Sequence, residues 1–134
     1  MQKTLKNEKS YRNLFLIAAL YDFILGLVFF IFLPFFFENI FKIPIPNYPG
    51  ISQATAAFIF VMGVGFYFVY RNLYRNNDIV KLGIVFKLVY AALAFYYVFA
   101  QNYPVLFALF GAIDLIFIVF FLSYLRVYAR EMEA

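Results

Sequence analysis

Long apolar runs alternate with short polar breaks along the chain, and four of the runs have the length of a membrane span. They cover about Leu14 to Leu33, Ile51 to Tyr70, Leu82 to Ala100, and Pro104 to Leu125. Each comes close to the roughly 20 residues a helix needs to cross about 30 Å of hydrocarbon. The pattern predicts an all-α integral membrane four-helix bundle, formed as a single membrane domain over residues 1–134. The basic start MQKTLKNEKSYRN resembles the head of a signal peptide. The apolar run after it is too long, however, and no small-residue cleavage site follows, so a retained span is expected.

The polar breaks orient the spans. Lys3, Lys6, Lys9 and Arg12 precede the first span; Arg71, Arg75 and Lys81 lie between the second and third; Arg126 and Arg130 follow the fourth. The two remaining loops hold only Lys42. The positive-inside rule then makes both termini and the middle loop cytoplasmic. QNYP is a tight outer turn, and RNLYRNND is a cytoplasmic turn with polar caps. Pro34 ends or kinks the first span near its outer end. The stretch FFFENIFKIPIPNYPG after it reads as a short outer interfacial segment and a Pro-rich loop. A plain connector is the favoured reading of that loop, and a lid over an outer opening is the alternative. Tyr11, Tyr70, Tyr74, Tyr124 and Tyr128 fall near the inner boundary, with Tyr48 and Tyr103 near the outer one, as an anchoring aromatic belt.

Composition supports the membrane assignment and removes several chemistries. The chain is 66% hydrophobic and 13% charged, against roughly 25% charged in a soluble domain. Without Cys or His there is no disulfide, no thiolate chemistry, no imidazole base and no His-ligated haem or zinc. No resident cofactor or metal is expected. The net charge of +4 follows from the positive-inside bias, and no nucleic-acid partner is expected.

Three charges interrupt the spans: Asp22 in the first, Lys87 in the third and Asp114 in the fourth. A charge at the centre of a span costs at least about 2.5 kcal/mol, so such residues are usually buried in protein, paired and functional. Helical spacing gives their direction. Asp22 shares a face with Ala18 and Gly26; Lys87 with Gly83, Ala91 and Ala94; Asp114 with Ala108 and Gly111. Small residues mark the faces where membrane helices approach closely, so all three charges should point into the bundle. At about 1.5 Å of rise per residue, Asp22 lies roughly 15 Å beyond Arg12 and Asp114 roughly 18 Å from Arg126. The Lys87 backbone is nearer the cytoplasm, and its stem can reach the aspartates or snorkel the other way. Tyr90, three residues on, should share the Lys87 face. Tyr21 and Tyr67 lie at similar depth and read as packed aromatics. Two carboxylates and one ammonium leave one negative charge. Either one aspartate keeps its proton, or a cation or basic ligand occupies the site.

The order of these features resembles the small four-span bacterial membrane proteins grouped as DoxX-like or uncharacterised. It comprises an Asp in the first span, a Pro-rich outer loop, Gly in the second span, RNLYRNND, KLGIVFKL and the ending GAIDLIFIVFFLSYLR. The resemblance covers most of the chain. It implies a multi-pass bundle in the bacterial inner (plasma) membrane and supplies no catalytic residues.

Three functions are open at this point. In the first, Asp22, Lys87, Asp114 and Tyr90 bind or transport a proton, a cation or a small amphiphilic ligand, in a homo-oligomer if a pathway is needed. In the second, the chain is a structural or accessory subunit of a larger membrane complex and the charges are an assembly clamp. In the third, it is an enzyme acting on an apolar, lipid-like substrate, which nothing in the spacing requires. Besides the bilayer, the expected partner is a lipid or small amphiphile.

Overall fold

The computed structural model describes residues 3–133. The described residues form five α-helices: α1 (Glu8–Ile31), α2 (Leu33–Phe35), α3 (Pro49–Arg71), α4 (Asn77–Gln101) and α5 (Leu106–Met132). A π-helical stretch, Phe36–Phe41, continues directly from α2. The four long helices are long and apolar enough to cross a membrane, and each holds one of the apolar runs. α1, α4 and α5 extend past their runs into polar sequence at the end that carries the termini.

The break after α1 has a local cause. Pro34 has no N–H to give to the Phe30 carbonyl, so the ladder stops, and Phe32 leaves helical geometry with φ −107° and ψ 32°. The side chain of Gln53, on α3, supplies the missing donor to the Phe30 carbonyl at 3.4 Å. The π-helical stretch closes on Lys42 in the left-handed region, φ 56°, with the Ile43 N–H donating to the Phe37 carbonyl at 2.9 Å. α4 closes the same way on Asn102, φ 56°, with the Tyr103 N–H donating to the Tyr97 carbonyl at 3.0 Å. Both are Schellman-type endings formed without glycine.

The helices pack mainly as two antiparallel pairs, α1 with α3 and α4 with α5. The first pair crosses on a motif that both helices share. Ala19, Phe23 and Gly26 on α1 meet Ala56, Phe60 and Gly63 on α3, spaced identically along the chain. The Phe23 and Phe60 rings pack at 4.6 Å. A β-carbon on Gly26 would lie 2.4 Å from the Phe60 backbone nitrogen, and one on Gly63 would lie 2.5 Å from that of Phe23. Close backbone approach of this kind is a main source of association between helices in lipid, where apolar burial contributes little.

Both chain ends and the 72–76 loop meet at one end of the bundle, the arrangement the charge pattern predicts. There the Leu5 N–H donates to the Tyr74 hydroxyl at 3.1 Å, Lys6 N–H to Glu131 at 3.1 Å, and the Arg12 guanidinium to the Tyr70 carbonyl at 3.3 Å. The loop is held by its asparagines. The Asn72 side chain accepts from the Tyr74 N–H at 3.0 Å, as in an Asx-turn. Asn76 does not cap α4 through its side chain; it turns back to the carbonyls of Phe68 and Asn72 at the end of α3.

The expected inner belt is only partly a belt. Tyr124 is fully buried, edge-on to Phe15 at 5.0 Å and Tyr11 at 5.2 Å. Its hydroxyl donates to the Leu73 carbonyl, with the Asn77 carboxamide 3.0 Å away. Tyr11 and Tyr128 pack on it, and Tyr70 and Tyr74 pack against the same core, all four half-buried. These side chains tie helix ends together, because a phenol can place its ring in the core and its hydroxyl on a loop carbonyl. Tyr124→Phe is expected to destabilise the protein by about 1–3 kcal/mol, since a buried carbonyl loses its donor. Loss of resistance to denaturation by dodecyl sulfate measures this, and an unchanged midpoint would contradict it.

Candidate functional site

The three intramembrane charges meet. α1 contributes Asp22, α4 Lys87 and α5 Asp114. Asp22 is 2% exposed and Lys87 0%, while the Asp114 side chain is 14% exposed. The Lys87 ammonium donates to Asp114 Oδ1 at 2.9 Å and to Asp22 Oδ1 at 3.3 Å. It is nearer to Asp22 Oδ2, at 3.1 Å, but out of hydrogen-bonding alignment, so that oxygen is held by charge alone and is without a hydrogen-bond partner. The lysine pairs; it does not snorkel. Aromatic faces complete its surroundings, with Phe117, Tyr21 and Phe66 centred 4.8, 5.5 and 5.6 Å from Nζ. Ring faces attract a cation and cost little desolvation of their own, which makes a dry pocket tolerable for the ammonium.

Tyr90 is on the helix face expected, yet it makes no hydrogen bond to the charges. It is half-buried and its ring packs on Phe86 at 4.7 Å. The Lys87 ammonium is engaged by the two aspartates instead. Tyr21 takes the place expected for Tyr90. Its ring packs on Phe117 at 5.5 Å, and its buried hydroxyl has no hydrogen-bond partner. Tyr67 is 43% exposed and faces out of the bundle beside Tyr70.

Asp22 and Asp114 form the floor of a cavity of about 480 Å³, with the fully buried Lys87 behind them and outside its lining. Asp22, Asp114, Tyr21 and Tyr90 line it, and it extends away from the termini toward Phe107 and Tyr103. Its walls are mostly apolar. Ile43, Pro44 and Pro46 line its far end, so the loop after the π-helical stretch forms part of the enclosure and is more than a connector. Phe41 is buried against Phe107 at 4.6 Å, which fixes the π-helical stretch at that end of the cavity. On the other side of the charges the bundle is solid. Phe15, Phe66, Phe117 and Phe121 stack below Lys87, with Phe121 5.1 Å from Phe15 and from Phe66 and 5.9 Å from Phe117.

Pockets of 300–1,000 Å³ with apolar walls and a few convergent polar groups are the usual form of a small-molecule site. This one combines that form with two of the three charges singled out by hydropathy, Asp22 and Asp114. No protein-family model, curated protein or solved structure matches the chain.

Proposed function

We propose that the protein binds a small amphiphilic molecule between its helices, as a multi-pass protein of the bacterial inner membrane with both termini in the cytoplasm. The observation that carries this reading is the apolar cavity ending on a buried, charged floor. An apolar body gains by leaving water for aromatic and aliphatic walls, and the polar end finds Asp114, the most exposed of the three charges. In this orientation the mouth, the π-helical stretch and the Pro-rich loop lie on the outer side, and ligand enters there. The DoxX-like likeness agrees with the placement in the membrane and is itself a proposal.

A second reading, the assembly clamp, is favoured by the completeness of the Lys87 contacts: one ammonium joins α1, α4 and α5. The two readings separate on one variant. Ala94 lines the cavity wall and is half-buried, so Ala94→Phe fills the space without touching the charges. Native mass spectrometry from mild detergent is expected to show a bound small molecule on the wild type and its loss from Ala94→Phe at unchanged thermal stability. A wild type that carries no adduct, or an equal adduct on both proteins, would leave only the clamp.

A further inference from the structure

We infer that the ligand is a cation, specifically an organic amine in its protonated form. This rests on the ligand-binding reading above and names the chemistry of its polar end. Three observations converge. The floor holds two carboxylates with one ammonium behind them, a formal sum of −1 when both acids are ionised. Asp22, almost wholly buried, has one oxygen without a hydrogen bond, and Asp22 lines the cavity. Asp114 gives only Oδ1 to Lys87 and exposes part of its side chain.

The carboxylate oxygen that Lys87 leaves unused is therefore an acceptor, Asp114 Oδ2, and behind it lie two buried oxygens without hydrogen bonds, Asp22 Oδ2, which Lys87 already holds by charge, and the Tyr21 hydroxyl, which accepts as well as donates. A primary ammonium carries three donors and no acceptor, the complement of that set. Its charge brings the floor to neutrality, which an alcohol or a quinone does not. An anionic headgroup would add a third negative charge in a low-dielectric space, where like charges repel most strongly. A bare metal ion would require several oxygen ligands, whereas apart from the Ser52 and Thr55 hydroxyls the rest of the wall is aromatic and aliphatic. The walls thus select an amine with an apolar body. At about 1.5 Å per residue, the distance along α5 from Asp114 to Phe107 is roughly 10 Å, the length of a ring joined to the amine by a short alkyl chain.

The test uses three probes of one shape on the purified protein in detergent: 4-cyclohexylbutylamine, 4-cyclohexylbutanol and 4-cyclohexylbutanoate. Binding is followed by the fluorescence of the cavity tyrosines. The amine is expected to bind at least tenfold more tightly than the alcohol, with the butanoate weakest. Asp114→Asn leaves Lys87 and Asp22 as a neutral one-to-one pair. It should remove the amine's advantage over the alcohol, and measurable binding of the alcohol shows that the variant is folded. If the alcohol or the acid binds as well as the amine, the charge assignment is overturned and the cavity reading stands. If Asp114→Asn keeps the preference, the floor is not its source and the assignment falls. If no probe binds, both readings fall.

Discussion

Lys87→Met is expected to destabilise the bundle by about 3–5 kcal/mol, the cost of removing one partner from a buried ionic group and leaving the other uncompensated. The geometry gives this substitution more weight than either aspartate. Lys87 is the common partner of Asp22 and Asp114, at 3.1 and 2.9 Å, so its removal strands two carboxylates. Asp22→Asn or Asp114→Asn each leaves a matched pair and should cost less. Of these two, Asp22→Asn should cost more, because its side chain is 3% exposed against 14% for Asp114. The triple variant Asp22→Asn, Lys87→Met, Asp114→Asn should recover most of the loss, since a neutral group of similar volume often replaces a buried ionic cluster at little cost. Unfolding in dodecyl sulfate measures all four. A Lys87→Met protein as stable as the wild type, or a triple variant no better than Lys87→Met, would show that the charges carry no structural load.

Gly26→Ala and Gly63→Ala are each expected to destabilise the protein by about 1–3 kcal/mol, the range for overpacking. One methyl group has this effect because the atoms it meets are backbone. A β-carbon at Gly26 would sit 2.4 Å from the Phe60 nitrogen and 2.6 Å from the Ala56 carbonyl oxygen; at Gly63 it would sit 2.5 Å from the Phe23 nitrogen. A side chain can rotate aside, but here α1 and α3 must separate along their crossing. Gly50→Ala is the internal control, because nothing lies within 4 Å of the added carbon. Equal unfolding midpoints for the Gly26, Gly63 and Gly50 variants would mean that the crossing is looser than drawn.

The long helices and the meeting of the three charges were legible in the sequence for the same physical reason. In lipid, a charge or a stripe of small residues is the strongest mark of an inward face. Where neither mark exists, the reading fails. Tyr124 and Phe15 are fully buried, and Tyr48 and Phe99 are exposed, yet all are large aromatics in an aromatic-rich chain. Helices apolar on every side carry no polarity period to sort them. The Ala-Phe-Gly crossing did have a signal, the equal spacing of Ala19, Phe23 and Gly26 with Ala56, Phe60 and Gly63. It becomes meaningful only once α1 and α3 are known to be neighbours. The Pro-rich loop and Tyr21 belong to the same class: their place at the cavity depends on which helices enclose it.

The ion cluster also bears on biosynthesis. The pair α4 and α5 contains Lys87 and Asp114 and is matched within itself, whereas the pair α1 and α3 contains Asp22 alone. Ribosomes make α1 and α3 first. The earlier hairpin thus enters the bilayer with a carboxylate that has no counter-charge, and it finds one only when the later hairpin docks. Arrival of Lys87 supplies the counter-charge, so a chain truncated before α4 retains an unmatched acid within its first span.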